Sequence, residues 1–573
     1  MFRALIFVFL SLSVLAAQTM VSVDMGTTVD SIKDLSGVNK GPKHQHVLGY
    51  AAAGITAIRM HDYFGANDYV WYTDFWNFDE SGNRFTDINP AFDPDNPNDY
   101  HWSDFDQNVQ YILNRGCQPY IRLGVSYPLT QYVIQPNDPP LDEDGIHFTK
   151  FARMAKRTVM HFNDGWDNGY HYDLKYWEIW NEPDGLFWSG TPRQFYQFYR
   201  TVAETLKTLN PDLIVGGPGV TPATTIGVGR EYLDQFLDYL RDNHVPLDFY
   251  SWHLYGIHNP YMLGVFAQNI RQKLDERGFT DAESHVTEIN HQLRTESYLD
   301  DSAKGAAFYA SLLIAAQKSP IDKMFWYPGD AFFFDDSAGQ GRFKWGAYPI
   351  AYFSEMHRET PVQVQTEGDV VLADFWDVDT TNFMTLAARS ADSEKLTLLI
   401  SNYNSNIDCY TVRIDNHPWQ TGDTLLVTQR ISREPNDRFT TVQFKMVVQE
   451  PLTLEISDMP APSVLYLKLQ RVATTGLAPG SGPLPVKTSL LPNFPNPFNP
   501  STVITYTVGK NDVPVLLTVY NALGQRVAVL VNQRQKAGRY SVLFDARGLA
   551  AGLYFYRLKA GNFSSTKKMI LLR

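Results

Sequence analysis

From about residue 20 to residue 355, short apolar runs recur between stretches whose apolar residues fall at helical spacing, the pattern of strands alternating with helices. Eight runs carry it: Leu35–Asn39, Ile55–His61, Pro119–Gly124, Tyr176–Asn181, Leu213–Gly217, Leu247–Trp252, His285–Glu288 and Met324–Tyr327. Eight strand–helix units predict an α/β fold of (β/α)8 barrel type, whose usual length of about 250 residues is extended here by insertions. Phe195–Leu209 illustrates the helices: its aromatic and aliphatic residues fall at helical spacing, and it stops before Asn210-Pro211. A doubly wound open sheet would want a phosphate-binding glycine loop after the first strand, and none follows Asn39. From about Val362 to Leu469 the pattern becomes strand-like, as in Phe383–Ala388, Leu396–Ile400, Thr411–Ile414 and Val464–Leu469, which predicts a β-sandwich. Gly, Pro, Ser and Thr then concentrate between Ala473 and Leu491, as in a linker. The expected organisation is a barrel over 18–355, a β-sandwich over 356–472, a linker over 473–491 and a small all-β module over 492–573.

Length supports this division, because 573 residues exceed what one hydrophobic core usually holds. Charge sharpens it. Residues 493–573 hold 11 Lys or Arg against only Asp512 and Asp545, a local +9 in a chain of net −13, as expected of a separate module. The overall negative charge argues against nucleic acid or anionic lipid as the main partner and favours a neutral substrate. Met1-Phe2-Arg3 followed by the apolar run Ala4–Ala17 reads as a cleaved signal peptide over residues 1–17, too short for the roughly 20 apolar residues of a spanning helix. No later segment is long and apolar enough to span. The two cysteines, Cys117 and Cys409, fall in different expected domains, so no disulfide framework is expected, and Cys117 is assigned to the barrel core.

The most informative segment is Tyr176-Trp177-Glu178-Ile179-Trp180-Asn181-Glu182-Pro183, an apolar strand ending in an amide and a carboxylate before a proline. Barrel active sites lie at the C-terminal ends of the strands. Glu182 stands where a protonated general acid for glycoside cleavage is needed, whereas Glu178, four residues earlier, reads as structural. A second carboxylate follows 106 residues later in Ser284-His285-Val286-Thr287-Glu288-Ile289-Asn290, on the seventh strand by this count. In retaining enzymes one such group attacks the anomeric carbon while the other, about 5 to 5.5 Å away, protonates the leaving oxygen. Glu288 is the expected nucleophile and Glu182 the acid/base.

These motifs resemble clan A glycoside hydrolases, and most closely glycoside hydrolase family 39, which includes β-xylosidases and α-L-iduronidase. Ile58-Arg59-Met60-His61-Asp62 resembles the family's second strand, Trp102-Ser103-Asp104-Phe105-Asp106 through Leu123-Gly124 its third βα unit, and Ser251-Trp252-His253-Leu254-Tyr255 its sixth strand. The resemblance spans roughly residues 20 to 355. It implies that Asn181 contacts the sugar 2-hydroxyl, that Arg59 keeps the nucleophile ionised and that Tyr255 hydrogen-bonds it. It also implies that His61 and His253 bind substrate and that Trp326 forms a floor under the sugar. No cofactor or metal is implied. A second resemblance covers the C-terminal module. Leu491-Pro492-Asn493-Phe494-Pro495-Asn496-Pro497-Phe498-Asn499-Pro500, then Val519-Tyr520-Asn521-Ala522-Leu523-Gly524-Gln525, then Ala551-Gly552-Leu553-Tyr554-Phe555-Tyr556-Arg557-Leu558 resemble the type IX secretion sorting domain. That implies export through the periplasm by the type IX machinery to the cell surface or beyond.

Other candidates carry less. Tyr69, Trp71, Tyr72, Phe75, Trp76 and Phe78 either wall a cleft or pack their own loop. Asp93, Asp95, Asn98 and Asp99, and separately Asp142, Glu143 and Asp144, offer oxygen ligands without EF-hand spacing and read as solvated loops. His44 and His46 lack a third ligand at zinc spacing. The expected substrate is an oligosaccharide or polysaccharide, β-xyloside first. The alternative is a uronide, galactoside or longer polysaccharide, with Arg342 and Lys344 open as partners of a substrate carboxylate. A non-catalytic carbohydrate-binding barrel is disfavoured, because binding alone does not require both carboxylates.

Overall fold

The computed structural model describes residues 19 to 572 apart from 40, 42–46, 61–75, 79–84, 90, 125–145, 186, 189, 228–229, 292–300, 335–341, 372–381, 434–436, 473–487, 492, 494–495, 497, 499–500, 511 and 536–537. It divides into two units, the boundary along the chain falling between residues 473 and 474.

Eight parallel strands close into a barrel in the first unit: β1 (Gly37–Asn39), β2 (Ala57–Met60), β3 (Gln118–Leu123), β4 (Tyr176–Ile179), β5 (Ile214–Val220), β6 (Phe249–Leu254), β7 (Glu283–Ile289) and β8 (Lys323–Trp326). All eight coincide with the apolar runs of the sequence. Side chains alternate along each strand. On β4, Trp177 and Ile179 join the large core shared with the outer helices, while Tyr176 joins a small layer inside the barrel with Ala57, Tyr120, Phe249 and Phe325. The Tyr120 hydroxyl lies 3.0 Å from His285 Nδ1, so this plug is polar at one point but satisfied. The helix Pro192–Leu209 begins with a capping box between Thr191 and Gln194 and buries Phe195, Phe198, Tyr199, Val202 and Leu206.

The strand Thr19–Ser31 differs from the expected plan. Although it lies within 18–355, it does not enter the barrel; it pairs antiparallel with Val362–Glu367 and parallel with Tyr410–Asp415. The cause is its two-residue alternation, which sends Val21, Val23 and Met25 into a second core beside Leu398, Val412, Leu454 and Leu465. That core is lined by one ten-stranded sheet, and the sheet folds over itself to cover it. The opposite faces of Lys395–Asn404 and Ser463–Arg471 rest on the barrel side, where Leu399, Tyr403, Val464 and Tyr466 belong to the barrel's core. Between them lies the helix Ala303–Gln317, apolar all round and buried except at Lys304. Ser311 Oγ lies 3.0 Å from Ser401 Oγ, which itself donates to the Ala307 carbonyl at 2.7 Å. Truncating a wholly buried side chain here, such as Leu312, costs about 2 to 5 kcal/mol.

The second unit is all β. A three-stranded sheet (Ser489–Leu490, Ser501–Val508, Gly538–Asp545) and a four-stranded sheet (Val513–Asn521, Arg526–Gln535, Gly552–Ala560, Phe563–Leu571) share a core of Ile504, Tyr506, Leu517, Val519, Phe544, Tyr556 and Leu558. Tyr556 Oη donates to the Leu491 carbonyl at 2.9 Å and accepts from the Asn493 amide at 2.7 Å. No helix among the described residues is long and apolar enough to cross a membrane.

Candidate active site

The segment after β4 turns sharply. Trp180 and Glu182 both have left-handed backbone, φ 73° and 47°, a conformation that costs a non-glycine residue about 1 to 3 kcal/mol. Neighbouring contacts hold the turn. Trp180 is wholly buried, its indole packs edge-on against Trp188 and Phe198, and its Nε1–H donates to the Phe187 carbonyl at 2.8 Å. Glu182 N–H donates to the Gly219 carbonyl at 2.9 Å, and Asp184 accepts from the amide and hydroxyl of Thr221, which fastens the loop to the end of β5. Glu182 emerges at the mouth with its side chain 17% exposed.

On β7 the register with β6 shifts between Val286 and Glu288, a bulge that sets Glu288 opposite His253. Glu288 Oε1 accepts from Arg59 Nη1 at 2.8 Å and Oε2 from Tyr255 Oη at 2.8 Å. Arg59 is fully buried. Its Nε donates to Glu178 Oε2 at 2.6 Å, Nη1 also to Asn39 Oδ1 at 2.9 Å, and Nη2 to Asn181 Oδ1 at 2.8 Å. Burial works against its charge, but Glu178 and then Glu288 outweigh it and raise the guanidinium above its ordinary range. The Tyr255 hydroxyl is also pushed up, first by burial and then by the Glu288 charge, which keeps it a donor. His253 is wholly buried, with Nδ1 2.8 Å from Glu182 Oε1 and Nε2 3.7 Å from Glu288 Oε1. One atom each from Glu182, His253 and Glu288 fall within 4.8 Å of one another. A metal does not suit this triad, because Arg59 already donates to the Glu288 oxygen and would repel a cation.

The structure therefore gathers Glu182, Glu288, Arg59, Asn181, His253 and Tyr255 at one end of the barrel. His61 lies outside the described residues, as do Tyr69, Trp71, Tyr72, Phe75, Asp142, Glu143, Asp144, His44 and His46. Trp326 is at the end of β8 but wholly buried, set edge-on against Tyr309 at 5.4 Å and Phe332 at 5.8 Å. It presents no exposed ring. His253 likewise has no exposed surface and contacts the two carboxylates. Asp95 is ion-paired with Arg153 and Arg157, which occupies the oxygens a calcium ion would need. Two residues of the site were not singled out for it from the sequence, Asn39 and Gly219. Asn39 Nδ2 donates to the Thr287 carbonyl at 2.6 Å, tying β1 to β7 beneath the nucleophile. At Gly219, φ +62°, a Cβ would stand 3.1 Å from His253 Nε2, so only glycine lets β5 pass the site. The Gly216-Gly217-Pro218-Gly219 run was the available signal.

Residues 93–344 match the sequence model of glycosyl hydrolases family 39. The chain carries a family 39 glycosyl hydrolase domain. Residues 493–572 match the secretion system C-terminal sorting domain. A curated relative, the β-xylosidase of Geobacillus stearothermophilus, is 25% identical over 262 residues, 41% of this chain and 49% of that protein. The match thus spans about half the length of that relative. Two solved structures share the fold. A glucosidase from Croceicoccus marinus has TM-score 0.60 at 23% identity, covering 80% of this chain and 100% of that one. A monomeric β-xylosidase from Caulobacter crescentus has TM-score 0.59 at 15% identity, covering 79% and 100%. The family 39 match falls on the barrel and includes Glu182 and Glu288, while the sorting match falls on the second unit.

Proposed function

We propose that the chain is an exported retaining glycoside hydrolase, acting first on β-xylosides, with Glu288 as nucleophile and Glu182 as acid/base. The observation that carries this reading is the proximity of two carboxylates in unequal surroundings. Oxygens within 4.8 Å suit the close pairing of retaining enzymes, whereas inversion needs about 6.5 to 9.5 Å to admit a water. Glu288 sits between the Arg59 cation and the Tyr255 hydroxyl, two donors that stabilise an ionised nucleophile. Glu182 is the more exposed and contacts an imidazole instead, suiting it to pass a proton to the leaving oxygen and later take one from water. With Asn181 Oδ1 held by Arg59, its amide nitrogen is the end that serves the sugar 2-hydroxyl. The β-xylosidase relative supports the sugar, and the sorting match supports export by the type IX machinery to the cell surface or beyond.

The test is azide rescue. General acid assistance is typically worth about 10² to 10⁴ in rate and concerns the leaving oxygen, so Glu182→Ala should spare a nitrophenyl xyloside far more than a natural xylo-oligosaccharide. Azide should then give a glycosyl azide of retained configuration. With Glu288→Ala, any azide product should be inverted. Equal losses on both substrates in Glu182→Ala would refute its role. A panel including uronides and galactosides, assayed with the same variants, decides the sugar.

A further inference from the structure

His253 Nε2 has no hydrogen-bond partner although the ring is wholly buried. Glu288 Oε1 stands 3.7 Å from it. Glu178 Oε1, also buried without a partner, and Arg59 Nη2 converge on the same space, since a Cβ on Gly219 would meet His253 Nε2, Glu178 Oε1 and Arg59 Nη2 at 3.1, 3.3 and 3.4 Å. The groups around His253 are thus Glu182 and Glu178 from β4 and the loop after it, Glu288 from β7, Arg59 from β2 and the Gly219 backbone from β5. Tyr255, just beyond its own strand, donates to Glu288. Arg59 directs its N–H groups to Glu178, Asn39, Glu288 and Asn181. Nε2 therefore faces two carboxylate oxygens, and a hydrogen on it is the favoured arrangement.

That choice fixes the other nitrogen. With hydrogen on Nε2, a neutral imidazole has only a lone pair at Nδ1, and the 2.8 Å contact with Glu182 Oε1 then needs a proton between two acceptors. We propose that Glu182 and His253 share one proton and that this pair, rather than Glu182 alone, is the acid that serves the leaving group. His253 is then a positioning residue and not a substrate ligand. The inference rests on the reading of Glu182 as acid/base. In the first step the glycosidic C–O bond breaks with its electrons on the leaving oxygen, and a Glu288 oxygen bonds to the anomeric carbon. The shared proton moves to the leaving oxygen through Glu182, whose side chain is 17% exposed against 0% for His253. This leaves the Glu182 carboxylate facing the Nδ1 lone pair. In the second step that pair takes a proton from the incoming water, whose oxygen bonds to the anomeric carbon as Glu288 departs. The electrostatics agree. Burial alone would lower the affinity of His253 for protons and Arg59 opposes it too, yet the Glu288 charge, the hydrogen bond to Glu182 and the Glu182 charge together raise it.

A coupled pair titrates as a unit, so activity should be present below the pair's titration and lost above it. The experiment is the pH profile of kcat/KM for wild type and His253→Gln, on a xylo-oligosaccharide and on a nitrophenyl xyloside. The Gln amide would donate to the Glu182 carboxylate without supplying a titrating proton. The alkaline limb on the oligosaccharide should therefore fall by about one pH unit or more, a roughly tenfold loss above both limbs, while the nitrophenyl substrate changes less than about threefold. A limb at the same pH in the variant, or the same displacement on both substrates, overturns the proposal. Nitrogen-15 NMR of histidine-labelled wild type gives a second readout that needs no variant. One histidine should titrate at one ring nitrogen at the pH of the kinetic limb while the other nitrogen stays protonated. No such histidine means no shared proton. The Glu182→Ala comparison separates the two failures: if it still discriminates between leaving groups while the His253→Gln limb is unmoved, only the shared proton is lost.

Discussion

Replacing Arg59 by Met should destabilise the barrel more than any other single change near its mouth. The guanidinium is fully buried and donates to Glu178, Glu288, Asn39 and Asn181. Met fills much of the same volume but leaves two buried carboxylates without their cation. Breaking one buried ion pair by removing one partner costs about 3 to 5 kcal/mol, and here one cation serves two anions. The two amide oxygens lose a donor as well, at about 1 to 3 kcal/mol for each that finds no replacement. Against a typical domain stability of about 5 to 15 kcal/mol, the variant should lose half or more of its stability. Urea unfolding followed by tryptophan fluorescence reads this as a lowered midpoint at unchanged slope. The sharper result is a reversal: Arg59→Met with Glu178→Gln should be more stable than Arg59→Met alone, because one orphaned charge is gone. An Arg59→Met enzyme within about 1 kcal/mol of wild type, or a double variant weaker than the single, would refute the reasoning.

Gly219→Ala should lower kcat/KM by about tenfold, since the added Cβ presses His253 aside by a few tenths of an ångström and a full 1 Å displacement costs about 10², and it should lower the melting transition as well, because φ +62° strains any residue with a Cβ; unchanged kinetics would count against the geometry. Cys117 is buried, donates to the Ile55 carbonyl and has its thiol pushed up to about 11 by that burial, whereas Cys409 is exposed, so a chromogenic disulfide reagent at pH 8 should titrate one thiol in the native protein and two after denaturation. A fragment of residues 18–473 should melt cooperatively and keep the hydrolytic activity of the full chain, as expected if the second unit serves export alone; a folded but inactive fragment would contradict this.

The barrel was legible because each strand is a short apolar run, and on the fourth and seventh strands the run leads into a carboxylate, so Glu182 and Glu288 could be placed from that register, while the part expected of Asn181 came from the family resemblance. Thr19–Ser31 was misplaced because strand pairing is non-local: its alternation announces a half-buried strand but does not name its partners. His253 was expected to bind substrate because of the family resemblance, and the structure sets it between the two carboxylates. One-dimensional spacing does not reveal that β5 carries a glycine where a side chain would stand between them. Trp326 shows the same limit, since a ring at a strand end is either a floor or a filler according to what packs on it, here Tyr309 and Phe332. Glu178 was assigned to structure, and its bond to Arg59 makes that structure part of the electrostatics of the nucleophile.

The central claim is that Glu288 forms the covalent intermediate. It is tested most directly by inactivating the enzyme with an activated 2-deoxy-2-fluoro xyloside, which slows the second step, and mapping the adduct by peptide mass spectrometry. The expected result is one fluoroxylosyl group on the peptide containing Glu288, discharged when an acceptor sugar is added. An adduct on any other carboxylate, or turnover of a natural β-xyloside with no adduct and an inverted first product, would contradict it.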